Sequence, residues 1–71
     1  MVAQMQTVLS SRVSQIGWDG ETGQLVVVWT SGKTSVYDGV SEQTAGQVIN
    51  SPSVGAALND LVIGKHSHDY A

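Results

Sequence analysis

The sequence contains no cysteine, so it has neither a disulfide staple nor a thiolate for metal binding or nucleophilic attack. Stability must come from packing, which suits a reducing compartment. Long apolar runs are also missing. No stretch approaches the roughly 20 residues that cross a bilayer, and the opening residues have neither a basic segment nor a continuous apolar one. These absences predict a cytoplasmic protein without membrane association. Positive charge is scarce as well: Arg12, Lys33 and Lys65 face six acidic residues, for a net charge of −3. This balance opposes the counterion release that drives most nucleic-acid affinity, so direct nucleic-acid binding is not expected. It steers the chain weakly toward basic protein surfaces.

With 71 residues the chain has room for one domain, which buries only about 60% of the surface its unfolded form exposes. Residues 1–11 carry no charged side chain and set Val2, Met5 and Val8 among glutamine and threonine. They read as an N-terminal arm, either a frayed terminus or an adaptable apolar strip, ahead of a single domain at 12–71. From Arg12 onward, segments 13–18, 24–30 and 33–37 are short runs rich in β-branched and aromatic residues, separated by glycine turns. Asp19-Gly20-Glu21-Thr22-Gly23 suits a hairpin loop, and Ser31-Gly32 a tighter one. Leu25-Val26-Val27-Val28-Trp29 is apolar on both pleat faces and reads as the central strand, which leaves its two neighbours as edge strands.

Asp38-Gly39 ends the strand pattern, and Ser41 is placed to cap a helix with Glu42 in its first turn. Ala45, Val48 and Ile49 follow helical spacing until Asn50-Ser51-Pro52 interrupts it. A second helix begins near Ser53, and its stripe of Val54, Ala57, Leu58, Leu61 and Val62 is expected to lie on the sheet until Gly64 and Lys65 stop it. Gly55 weakens its first turn, which suggests close backbone packing there. The predicted fold is α+β, a three-stranded antiparallel β-meander followed by two α-helices on one sheet face (βββαα).

Catalysis needs a nucleophile or acid/base pair with an orienting partner, and candidates are few. His66 and His68, with Asp69, are the nearest approach to a metal site, but a solvated tail explains them more simply. No metal and no cofactor are expected. Asp19, Glu21 and Asp38 lie in turn compositions that account for aspartate without chemistry. The glycines punctuate strands and do not form a phosphate loop. Trp18, Trp29, Tyr37 and Tyr70 are the only aromatics, and at least two are expected in the core. The residues therefore predict a binding protein, not an enzyme, and a monomer.

Ser10-Ser11, Ile16-Gly17-Trp18-Asp19, Leu25-Val26-Val27, Gly32, Tyr37-Asp38-Gly39-Val40, Ser53-x-Gly55, Asn59 and Ile63-x-Lys65 occur in the order and spacing of the KTSC family. The chain resembles that family over nearly its whole length. Its members are short domains found alone in bacteria and phages, and at the C-terminus of some lysyl-tRNA synthetases. RNA binding has been suggested for the family, so a small nucleic-acid-binding module is the alternative function. This sequence has only half of the family's Tyr-x-Tyr motif, as Ser35-Val36-Tyr37. It has Ser41 where a proline is usual and Ala57-Leu58 where an aromatic pair is usual. These departures weigh against aromatic-mediated RNA binding.

The length, acidity and uncharged arm also resemble a small transcription regulator encoded by a lytic bacteriophage. That resemblance implies binding to host bacterial RNA polymerase at the N-terminal region of the beta-prime subunit. It further implies inhibition of initiation through weakened sigma engagement, and promotion of antitermination. Contacts are expected from the arm residues Val2, Met5 and Val8 as apolar anchors, and from the charged residues Arg12, Asp19, Glu21 and Lys33. For Arg12 and Lys33 the bland alternative is protection of strand edges from aggregation.

Overall fold

In the computed structural model, residues 5–8, 10–64 and the backbone of 68–70 are described. The element order is β1 (Gln6–Thr7), β2 (Val13–Asp19), β3 (Gln24–Trp29), β4 (Thr34–Tyr37), α1 (Glu42–Ile49), α2 (Val54–Leu61) and β5 (His68–Tyr70). The strands form one antiparallel sheet in the order β1-β2-β3-β4-β5. The three expected strands are its centre, and among the described residues the count of three is corrected to five. β2 and β4 are not edges, because each is covered by a short strand from one end of the chain. Gln6 and Thr7, expected in an arm, sit opposite Ile16 and Gln15, and the Val8 N–H donates to the Ser14 carbonyl at 3.2 Å. On the far side, Tyr70, Asp69 and His68 run opposite Ser35, Val36 and Tyr37.

Turn chemistry sets the register of the centre. Between β2 and β3, the Asp19 carboxylate accepts from the Glu21 N–H at 2.9 Å and its carbonyl accepts from the Gly23 N–H at 2.8 Å. Gly23 has φ +73, a region that strains any residue with a side chain. Between β3 and β4, Gly32 at φ +94 donates to the Trp29 carbonyl at 2.9 Å, and the Trp29 N–H donates to the Lys33 carbonyl at 2.8 Å.

A bulge interrupts β2. Val13 faces Trp29 while Gln15 faces Val28, so Ser14 is the extra residue. On a regular strand Val13 and Ile16, three apart, would point to opposite faces. The bulge brings both into the core, and each is fully buried.

One face of the sheet, with Ile16, Leu25, Val27 and Tyr37, shares its core with Ala45 and Val48 of α1, Val54 and Leu58 of α2, and Val62 just beyond it. The expected stripe on α2 is thus in place, but its members differ: Leu58 and Val62 are completely buried, whereas Ala57 and Leu61 are half-buried. Ser41 caps α1 as expected, its Oγ accepting from the Thr44 N–H at 3.2 Å. Ser53 precedes α2 without any side-chain capping bond. Among the described residues no helix is long and apolar enough to cross a membrane.

Candidate partner-binding surface

The hairpin geometry sorts the charged candidates to opposite ends of the sheet. Arg12 precedes β2 and Lys33 precedes β4, so both flank the turn after β3; Asp19 ends β2 and Glu21 follows in the next turn. The seven residues of β2 separate the two ends by about 20 Å. Asp38 joins the acidic end, where its carboxylate accepts from the Gln24 side-chain amide at 2.9 Å. The two signs of charge therefore cannot serve one small contact patch.

The apolar candidates divide as well. Val2 lies outside the described residues. Met5 is 37% exposed and is available to a partner. Val8 is half-buried against the hydrophobic core, so its first use is to hold β1 in place.

Two neighbouring clefts occupy the basic end, and Arg12 lines both. The larger, about 520 Å³, lies between the loop Ser10-Ser11-Arg12 and the start of α2, with Ser53, Gly55 and Asn59 opposite. Ser10, Ser11, Ser53, Gly55 and Asn59 are separate fragments of the sequence pattern, and the fold gathers them around one groove. Ser10 has a structural duty there, its Oγ accepting from the N–H groups of Arg12 and Val13 at 3.3 Å each. Gly55 does not reflect a close backbone approach, contrary to expectation. A Cβ at that position would meet the Ser10 Oγ at 3.8 Å, an ordinary contact.

The smaller cleft, about 360 Å³, is formed by Arg12, Trp29, Thr30, Ser31 and Lys33. One wall residue is the half-buried Trp29, whose Nε1–H donates to Ser35 Oγ at 2.7 Å. Ser35 is only 1% exposed, so this bond satisfies a buried hydroxyl while fixing the ring. Trp18 is pinned in the same manner at the other end, donating to the Val40 carbonyl at 2.9 Å. Arg12 and Lys33 are partner-contact candidates from the sequence, whereas Trp29 reads there as one of four aromatics weighed for the core. The missing signal was the bulge, which shifts Val13 opposite Trp29 and draws Arg12 beside the turn.

Among the described residues no carboxylate lines either cleft, and no group of His, Cys, Asp and Glu side chains is placed to hold a metal ion. The side chains of His66 and His68 lie outside the described residues. What the described clefts offer is hydroxyl and amide hydrogen bonding, cationic charge and one indole surface.

These features define a small α+β domain with a polar groove and a basic cleft, lined in part by Trp29, at one end of its sheet. Residues 9–65 match the KTSC domain, and the chain belongs to that family. Its fold is similar to the crystal structure of a KTSC domain protein from Yersinia pestis, with 27% identity, 99% of each chain covered and a TM-score of 0.93. No curated protein matches the chain.

Proposed function

We propose that this KTSC domain is a phage-encoded, non-enzymatic transcription regulator that acts in the cytoplasm of the host bacterium. In this reading it docks on host RNA polymerase at the N-terminal region of the beta-prime subunit, weakens sigma engagement and promotes antitermination. The observation that carries the binding part is the cleft lined by Arg12, Lys33 and Trp29, whose indole is fixed by its bond to Ser35. Tryptophan and arginine are the residues most enriched among energetically dominant interface contacts. The choice of polymerase rests on the resemblance in length, acidity and N-terminal composition. Action without catalysis is supported by the placement of Asp19, Glu21 and Asp38 at the end of the sheet away from the serine-lined groove.

The test is binding of the purified full chain to bacterial RNA polymerase core enzyme and holoenzyme, followed by transcription in vitro from a sigma-dependent promoter and through a terminator. Stoichiometric binding with reduced initiation and increased readthrough is expected. Absence of polymerase binding at micromolar protein would refute the assignment.

The same cleft also gives some support to a nucleic-acid-binding module, since an indole in a cleft shared with two cations can stack a base. Two cations release few counterions, and the remaining charge of the domain is acidic. A gel shift with random RNA and DNA separates the readings. Submicromolar RNA binding without polymerase binding would reverse their order.

A further inference from the structure

The basic cleft has a feature beyond its composition: the segments that form it are tied together by the backbone. The Thr30 N–H donates to the Arg12 carbonyl at 2.9 Å, and the Thr30 hydroxyl donates to the Ser11 carbonyl at 3.3 Å. The Trp29 N–H donates to the Lys33 carbonyl, the Gly32 N–H closes the turn onto Trp29, and the Trp29 ring is anchored on the buried Ser35. A ligand entering here meets a backbone frame and an indole that these bonds already hold in place. Such preorganisation reduces the entropy lost on binding.

Charge distinguishes the classes of ligand. Arg12 and Lys33 make this end locally positive, while Asp19, Glu21 and Asp38 make the opposite end negative in a chain whose net charge is −3. A long polyanion gains little from two cations and is repelled by the rest of the molecule. A small free anion is drawn to the charges but makes no use of the indole. A short protein segment with acidic residues on either side of an apolar one uses both, with a carboxylate toward each cation and the apolar side chain on Trp29.

Resting on the reading of the domain as a protein-binding regulator, we infer that the cleft formed by Arg12, Trp29, Thr30, Ser31 and Lys33 is the docking site for an acidic, apolar-centred segment of its protein partner. The arrangement also fixes orientation. With its negative pole about 20 Å away along β2, the domain approaches an acidic segment cleft-first, and charge complementarity of this kind acts mainly on encounter.

The experiment uses the full chain labelled with nitrogen-15 and follows the two indole N–H signals. Trp18, at the opposite end, is an internal reference. Three probes are titrated: a blocked peptide of alternating glutamate and leucine, the same peptide with glutamine for glutamate, and an oligothymidylate. The glutamate peptide should move the Trp29 signal and leave that of Trp18 in place. It should bind about tenfold more tightly than the glutamine peptide, since two exposed ion pairs each contribute a few-fold. That preference should shrink as salt is raised. Arg12→Gln and Lys33→Gln should each lower the affinity a few-fold, and Arg12→Glu with Lys33→Glu should abolish it in a protein whose thermal unfolding shows it to be folded.

Equal affinity for the two peptides, a still Trp29 signal, or tighter binding of the oligothymidylate would each overturn the inference. RNA polymerase binding by the double variant separates this inference from the proposed function. If the variant loses the peptide but keeps polymerase, the cleft is not the docking site while the proposed function stands. If the parent binds the glutamate peptide as expected but not polymerase, the cleft stands and the named partner is wrong.

Discussion

Leu58 and Leu61 lie on the same helix, three residues apart, and their sequence pattern does not distinguish them. The structure does, because Leu58 is fully buried among Ala45, Val48, Val54 and Val62 in the core, whereas Leu61 is half-buried at its border. Truncating a fully buried leucine removes its transfer free energy and leaves a cavity, at a cost of about 2 to 5 kcal/mol. Truncating a half-exposed one forfeits about half the transfer term and opens little cavity, so about 1 kcal/mol is expected for Leu61→Ala. A domain of this length has a total stability of about 4 to 10 kcal/mol, so Leu58→Ala should unfold a large share of the molecules at 37 °C. In thermal unfolding followed by circular dichroism, Leu58→Ala should lower the midpoint by about 10 °C or more and Leu61→Ala by about 5 °C. Urea unfolding with an unchanged slope would show that the effect lies in stability and not in the compactness of the unfolded chain. Equal losses for the two variants, or a larger loss at Leu61, would refute the seating of α2 on the sheet.

Gly46 and Gly55 are helical glycines with no close neighbour for a methyl group to strike: nothing lies within 4 Å of a Cβ at Gly46, and only Ser10 Oγ, at 3.8 Å, at Gly55. Gly46→Ala and Gly55→Ala should therefore each raise stability by about 0.5 to 1 kcal/mol in urea unfolding, the second while narrowing the serine-lined groove. Deleting residues 1–8 removes β1 and the core contact of Val8. It should cost about 1 to 2 kcal/mol and make the protein more prone to associate through the uncovered side of β2, measured by urea unfolding and light scattering.

The centre of the sheet was legible because its signals are local: β-branched runs, glycines where φ must be positive, and an aspartate that bonds its own turn. The first helix was legible for the same reason, since Ser41 and Glu42 announce its start. The outer strands were not. Gln6–Thr7 and His68–Tyr70 are two and three residues long, too short to display alternation, and they are strands only because β2 and β4 offer unpaired backbone beside them. The bulge at Ser14 left no mark in composition either, yet it decides which side of β2 meets the core and where Arg12 falls. The partner-binding candidates were chosen by charge and by the apolar side chains of the arm, properties a sequence displays well. Their division between two ends of the sheet, and the presence of Trp29 at one of them, depend on register, which it displays poorly.

The sheet is also assembled over very unequal distances along the chain. β2, β3 and β4 are joined by loops of four residues, whereas β4 meets β5 only after the whole helical segment has intervened. Closing a short loop costs little entropy, and the cost grows with the logarithm of its length. The three-strand centre therefore carries the smaller closure cost, and the pairing of β4 with β5 the larger one. The strand that closes this longest connection lies against Ser35, Val36 and Tyr37, beside the serine that anchors Trp29. The cleft thus borders the edge of the sheet whose pairing carries the largest closure cost.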